Sequence, residues 1–118
     1  MQDIVSTTMF VLESASGERT DLIVRIGTPA AHGAKGEEWR CQYEVCPPMS
    51  GANRAIGEDS LQSLILATYA ALNVLKSLIE SGNRIIHSTG ERVPLEAYDL
   101  TALAHFESIG ESLGDRDT

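Results

Sequence analysis

The sequence predicts an α+β fold in two layers: a mostly antiparallel sheet of four to five strands packed by a long central helix and a C-terminal helix. Three observations predict it. Short segments of alternating or β-branched residues fill the first half, one wide apolar helical segment follows, and a second helical periodicity comes after a turn-rich stretch. A chain of 118 residues normally builds one core, expected here over residues 1–113, with the polar tail Gly114 to Thr118 frayed.

The segment Thr7 to Ser14 is rich in strand formers, and Asp21 to Gly27 alternates Leu22, Val24 and Ile26 against Asp21 and Arg25. Ser16-Gly17 between them is a turn signal, so the pair reads as an antiparallel hairpin. Thr28 to Gly36 holds Pro29, His32, Gly33 and Gly36 with little apolar content and reads as an exposed loop. From Trp39 to Val45 the odd positions are Trp39, Cys41, Tyr43 and Val45 and the even ones Arg40, Gln42 and Glu44: one face for the core, one for water. Pro47-Pro48 ends that strand because neither residue donates to a ladder, and a short fourth strand is expected around Arg54 to Gly57.

Asp59-Ser60-Leu61-Gln62 supplies a helix start, with Asp59 as cap and Gln62 placed to reach back. The helix is expected to run to about Ser81. Its polar residues Gln62, Tyr69, Asn73, Lys76 and Glu80 gather in one stripe, and the remaining apolar width, including Leu61, Leu64, Leu72 and Leu75, marks a central core helix. The polar residues within it argue against a membrane span. Arg84 to Ser88 and Arg92-Val93 flank Thr89-Gly90-Glu91 as a small hairpin or edge strand. Pro94 suits a first helical turn, and Tyr98, Ala102, Phe106, Ile109 and Leu113 repeat at helical spacing, predicting a second helix to about Ser112.

The residues Trp39-Arg40-Cys41-Gln42-Tyr43, followed by Gly57-Glu58-Asp59-Ser60-Leu61-Gln62 opening an aliphatic helix, resemble a family of small bacterial proteins classed as a domain of unknown function. The resemblance covers the middle forty or so residues and implies no activity. Trp39, Cys41, Tyr43, Asp59 and Gln62 explain themselves as strand core and helix cap.

Seventeen acidic against nine basic side chains give a formal charge of −8, a field that repels phosphate backbones and anionic lipid and favours a basic partner. The first residues, with Asp3 and no Lys or Arg, lack the positive region of a secretory signal, so a cytoplasmic location is expected. Cys41 and Cys46 are an odd number of residues apart on one strand and about 16 Å apart at ~3.3 Å per residue, so both are expected as reduced thiols. With His32, His87 and His105 they show no metal-ligand spacing, and no metal, cofactor or catalytic residue is assigned; the roles of the three histidines stay open.

Three functional readings follow. The first is a non-catalytic protein-binding module, such as an immunity or antitoxin-like inhibitor of a basic toxin domain, using Glu37, Glu38, Arg40 and Glu44 with the acidic second helix. The second is a small-molecule site or small enzyme with a pocket between sheet and central helix, lined by Tyr69, Asn73 and His105. The third is an acyl-carrier-like protein modified at Ser60, whose Asp-Ser-Leu context is matched more simply by helix capping. Leu66 and Tyr69 beside the polar stripe also leave a homodimer open.

Overall fold

A computed structural model describes residue 1 and residues 3–95. Six strands and one helix follow in the order β1 (Ile4–Glu13), β2 (Arg19–Gly27), β3 (Ala30–His32), β4 (Glu38–Cys46), β5 (Asn53–Gly57), α1 (Ser60–Glu80) and β6 (Arg84–Ile86). All strand pairs are antiparallel, and α1 packs on one face of the sheet: an α+β fold. The expected C-terminal helix to Ser112 and the tail lie outside the described residues.

β1 and β2 form the hairpin that Ser16-Gly17 signals. Gly17 sits at φ 88°, donates to the Ser14 carbonyl at 2.9 Å, and Ser14 donates to the Glu18 carbonyl at 2.8 Å. Both strands reach further than their side-chain alternation implies, starting at Ile4 and Arg19 rather than Thr7 and Asp21. Backbone pairing extends them through exposed residues that carry no apolar period.

β4 is the hub of the sheet. Arg40 lies opposite Ala30 of β3 and Ile56 of β5, and Tyr43 opposite Ile26 of β2 and Asn53 of β5. Hence β2 and β3 share one edge of β4 and β5 occupies the other. Between the Ile26–Tyr43 and Ala30–Arg40 pairs one strand advances four residues and the other three, so β2 and β3 are one run interrupted by a bulge at Gly27 to Pro29. That corrects the loop expected over Thr28 to Gly36: its first half resumes pairing, and Ala30, Ala31 and His32, all exposed, give no strand signal. The bulge leaves the Gly27 carbonyl out of the ladder, and the buried Cys41 thiol donates to it at 3.2 Å.

The core lies between sheet and helix. Phe10, Leu22, Ile26, Cys41 and Val45 from the sheet meet Ala67, Ala71, Leu72 and Leu75 of α1, closed at one end by Ile85, Val93 and Leu95. Tyr43 packs against this cluster half-buried, whereas Trp39, expected in the core, is half-buried outside it between Ala31 and Gly57. The stretch after α1 is the expected small hairpin, reduced to a single bridge between Ile86 and Arg92; β6 itself pairs with the end of β1. Glu13 locks that junction by accepting from both Arg19 and Arg84 at 3.0 Å.

α1 starts as the sequence dictates. Asp59 is the N-cap and its Oδ1 accepts from the Gln62 amide at 2.7 Å, while Gln62 Oε1 accepts from the Glu58 amide at 2.6 Å. The helix ends where Gly82, at φ 98°, donates to the Ile79 carbonyl. By length and composition α1 would suffice to cross a membrane, with a mean hydropathy of 1.3. Here its apolar width is used to lie across β4 and β5.

The first turn of α1 sits directly on Gly57: a Cβ there would lie 2.7 Å from the Ser63 amide nitrogen and 3.1 Å from its Cα. Because the obstacle is backbone, Gly57→Ala is expected to cost about 2 kcal/mol of unfolding free energy, and Asp59→Ala about 1 kcal/mol through loss of the cap. Urea denaturation of the two variants beside the wild type checks both values and their order.

Candidate functional site

α1 covers one face of the sheet, and no described element covers the other. Alternation along β4 places Glu38, Arg40, Gln42, Glu44 and Cys46 in one row on that open face. Neighbouring strands set their companions: His32 opposite Glu38, Ala30 and Ile56 on either side of Arg40, Arg54 opposite Gln42, Arg25 opposite Glu44 and Ile23 opposite Cys46. Met9 lies beyond Ile23 on β1, 61% exposed.

Three of the four residues expected to bind a partner, Glu38, Arg40 and Glu44, are therefore brought together. They do not make an acidic surface. Glu44 accepts from Arg25 at 2.9 Å, directly across the strand pair, and Glu38 accepts from Arg40 at 3.0 Å. Glu37 stands apart in the loop before β4, where its carboxylate lies against Gly33 and accepts from the Lys35 amide at 2.9 Å. The face is charge-alternating, with apolar Ile23, Met9 and Ile56 around it. Arg40 Nε is buried without a partner among the described residues, an unmade hydrogen bond on the open side of the sheet.

The excess of acid lies elsewhere. Residues 96–118 hold six acidic side chains against one basic, which is −5 of the −8, and the preceding 95 residues hold eleven against eight.

The expected pocket residues do not converge. At about 100° per residue, Tyr69 stands roughly 160° and Asn73 about 120° around α1 from the buried Ala67. Both are turned away from the sheet, and apolar side chains occupy the space between sheet and helix. The polar stripe was legible; its direction excludes these two from a pocket under the helix. His105 lies outside the described residues. His32 and His87 are exposed, the latter in an edge-on contact with Phe10 at 6.1 Å between ring centroids. Among the described residues no three His, Cys, Asp or Glu side chains are grouped to hold a metal ion. Ser60 is exposed at the start of α1, and its carbonyl accepts from the Ser63 hydroxyl at 3.0 Å. The six-stranded sheet around it is unlike the helical bundle of a carrier protein.

A family model described as a domain of unknown function, DUF6968, matches residues 8–93. The match runs from β1 to the bridge that closes the hairpin after α1 and so takes in the sheet and helix together. No match to the chain is found among curated proteins or among solved structures.

The two cysteines differ as strand alternation requires. Both are free, Cys46 exposed on the open face and Cys41 buried against α1, where burial pushes its thiol above the ordinary value of 9.0. A disulfide reagent at neutral pH is expected to titrate one thiol rapidly, to titrate none rapidly in Cys46→Ser, and to reach Cys41 only on unfolding. Since the folded form holds the Cys41 proton more tightly, its contribution to stability is flat below about pH 9 and falls as pH rises through the folded value. The alkaline slope of stability is expected to flatten in Cys41→Ala.

Proposed function

We propose that this chain, which belongs to the DUF6968 family, is a non-catalytic protein-binding module that recognises a basic partner, in the manner of an immunity or antitoxin-like inhibitor of a toxin domain. The observation that carries the reading is the open sheet face: Glu38, Arg40 and Glu44 share it with Arg25, Ile23 and Met9, and no described element covers it. Such a surface combines features of interface chemistry: an Arg with a buried unpaired donor, apolar neighbours, and ion pairs whose partners a docking protein can exchange.

Charge supports the choice of partner in a different way from contact. With its carboxylates held by Arg25 and Arg40, the sheet face contributes little net field, and the −8 acts as a diffuse attraction centred on residues 96–118. A field of this kind raises association rates and weakens with salt. Contacts on the sheet then decide which basic protein stays.

The test is a tagged full-length bait in a lysate of the source cells at low and high salt, with Glu37→Lys/Glu38→Lys as a second bait. Both positions are at least partly exposed, so the double variant is expected to melt within a few degrees of the wild type. A basic protein retained at low salt, released at high salt and bound several-fold more slowly by the charge-reversed bait supports the proposal. A retained protein indifferent to both changes would sink it.

A further inference from the structure

The strand β1 is paired unequally on its two sides. β2 runs along one edge from Ile4 to Glu13, whereas β6 meets the other only from Val11 to Glu13. From Ile4 to Phe10 the second edge has no strand partner among the described residues. Seven residues of extended backbone thus present N–H and C=O groups outward, and three of their side chains are apolar and exposed: Ile4 at 44%, Val5 at 56% and Met9 at 61%.

Open edges are normally blunted by a charge, a proline or a very short strand. Ile4 to Phe10 contains no charged residue, no proline and no glycine, and its only irregularity is a bulge between Ile4 and Ser6. We infer that this edge is an interface between two copies of the chain, paired antiparallel through β1 about a twofold axis at Thr7.

Three features select a second copy and that register. The free window is bounded at one end by β6, whose pairing begins at Val11, and at the other by the start of the strand. A seven-residue window is symmetric only about its centre, Thr7, and a twofold there uses all of it without displacing β6. In that register the residues clear of the bulge meet compatible ones: Thr7 faces Thr7 on the open face and Ser6 faces Thr8 on the helix-covered face, so their side chains keep to one face across the junction; Met9 and Phe10 lie toward Val5 and Ile4 at the bulge. Finally, the pairing is electrostatically self-compatible. Each copy carries −8, yet no charge lies between Ile4 and Leu12, and Glu13 just beyond is held by Arg19 and Arg84. Two like-charged chains meet where neither bears charge, and two sheets become one with the β1 strands at its centre. Of the residues named on the open face only Met9 borders this junction; the row along β4 lies two strands away.

Light scattering on the full-length chain is expected to give twice 12.7 kDa at concentrations up to a few hundred micromolar, the range suited to a short strand interface. Met9→Lys places a charge on the exposed edge without touching the core, and is expected to raise the dimer dissociation constant about tenfold or more while leaving the far-ultraviolet dichroism unchanged. Register is read by cross-linking in a Cys46→Ser background. Thr7→Cys brings two thiols face to face at a Cα separation of about 4.5–5.5 Å, within disulfide range, and is expected to form a covalent dimer on mild oxidation. Met9→Cys, facing Val5, is expected not to. A monomeric wild type throughout that range, a dimer that Met9→Lys leaves intact, or equal cross-linking at both positions would each overturn the inference; the first outcome would mean that residues 96–118 or a foreign strand covers the edge instead.

Discussion

The close seat of α1 on β5 is the contact from which the rest of the arrangement follows. Gly57 lets the helix backbone come within reach of the strand, and Ser63, wholly buried, stands directly over it with its hydroxyl satisfied by the Ser60 carbonyl. Small residues continue the approach: Ala67 and Ala71 on the helix and Cys41 on β4 are essentially inaccessible to solvent. At the other end of the helix large side chains do the filling, with Leu72 and Leu75 in the same cluster as Phe10, Leu22, Ile85, Val93 and Leu95. A helix held close at one end and propped by leucines at the other has a fixed crossing of the sheet. That crossing determines which face is core.

Once one face is core, strand alternation leaves no freedom on the other. Cys41, Tyr43 and Val45 point inward, so Arg40, Gln42, Glu44 and Cys46 point out, and the antiparallel register puts Arg25 against Glu44. The bulge at Gly27 to Pro29 adjusts this pattern rather than breaking it. It shifts the run by one residue, so that Ala31 rather than Ala30 falls beside Trp39, and frees the Gly27 carbonyl for the Cys41 thiol. The buried cysteine is therefore a satisfied donor in a tight space, which accounts for a small polar-capable side chain at the centre of an apolar face.

Much of this was legible in the residues because its signals are local. Ser16-Gly17, the alternation from Trp39 to Val45, and the pairing of Asp59 with Gln62 each act within seven residues, and the structure shows all three. What the sequence concealed depends on distant partners. β3 is a strand only because β4 lies beside it, and β6 docks on β1 through a Glu13–Arg84 bond spanning most of the chain. The polar stripe on α1 was readable as a stripe, but the direction of Tyr69 and Asn73 depends on which side of the helix meets the sheet. The charge of the candidate surface was hidden for a related reason: composition counts carboxylates, whereas Glu44 is neutralised by Arg25 across a strand pair and Glu38 by Arg40 two residues along its own strand.

Net charge and charged surface are consequently different properties of this chain. The residues matched by the family model fold into a sheet whose charges are largely paired, and most of the acid excess is written after the last of them. A partner drawn by the field would feel residues 96–118 at a distance of about a Debye length, near 8 Å at physiological salt, whereas a partner retained by shape would meet β4 and its neighbours. Under the proposed function, separating the two would let the sheet keep a single set of contacts while the attraction is set elsewhere in the chain. It also relieves the edge of β1, since the uncharged window from Ile4 to Leu12 lies in the part of the sequence with the smaller share of the repulsive charge. On the two proposals, the same distribution would favour approach of a basic protein to the open face of the sheet and tolerate approach of a like-charged copy at the β1 edge.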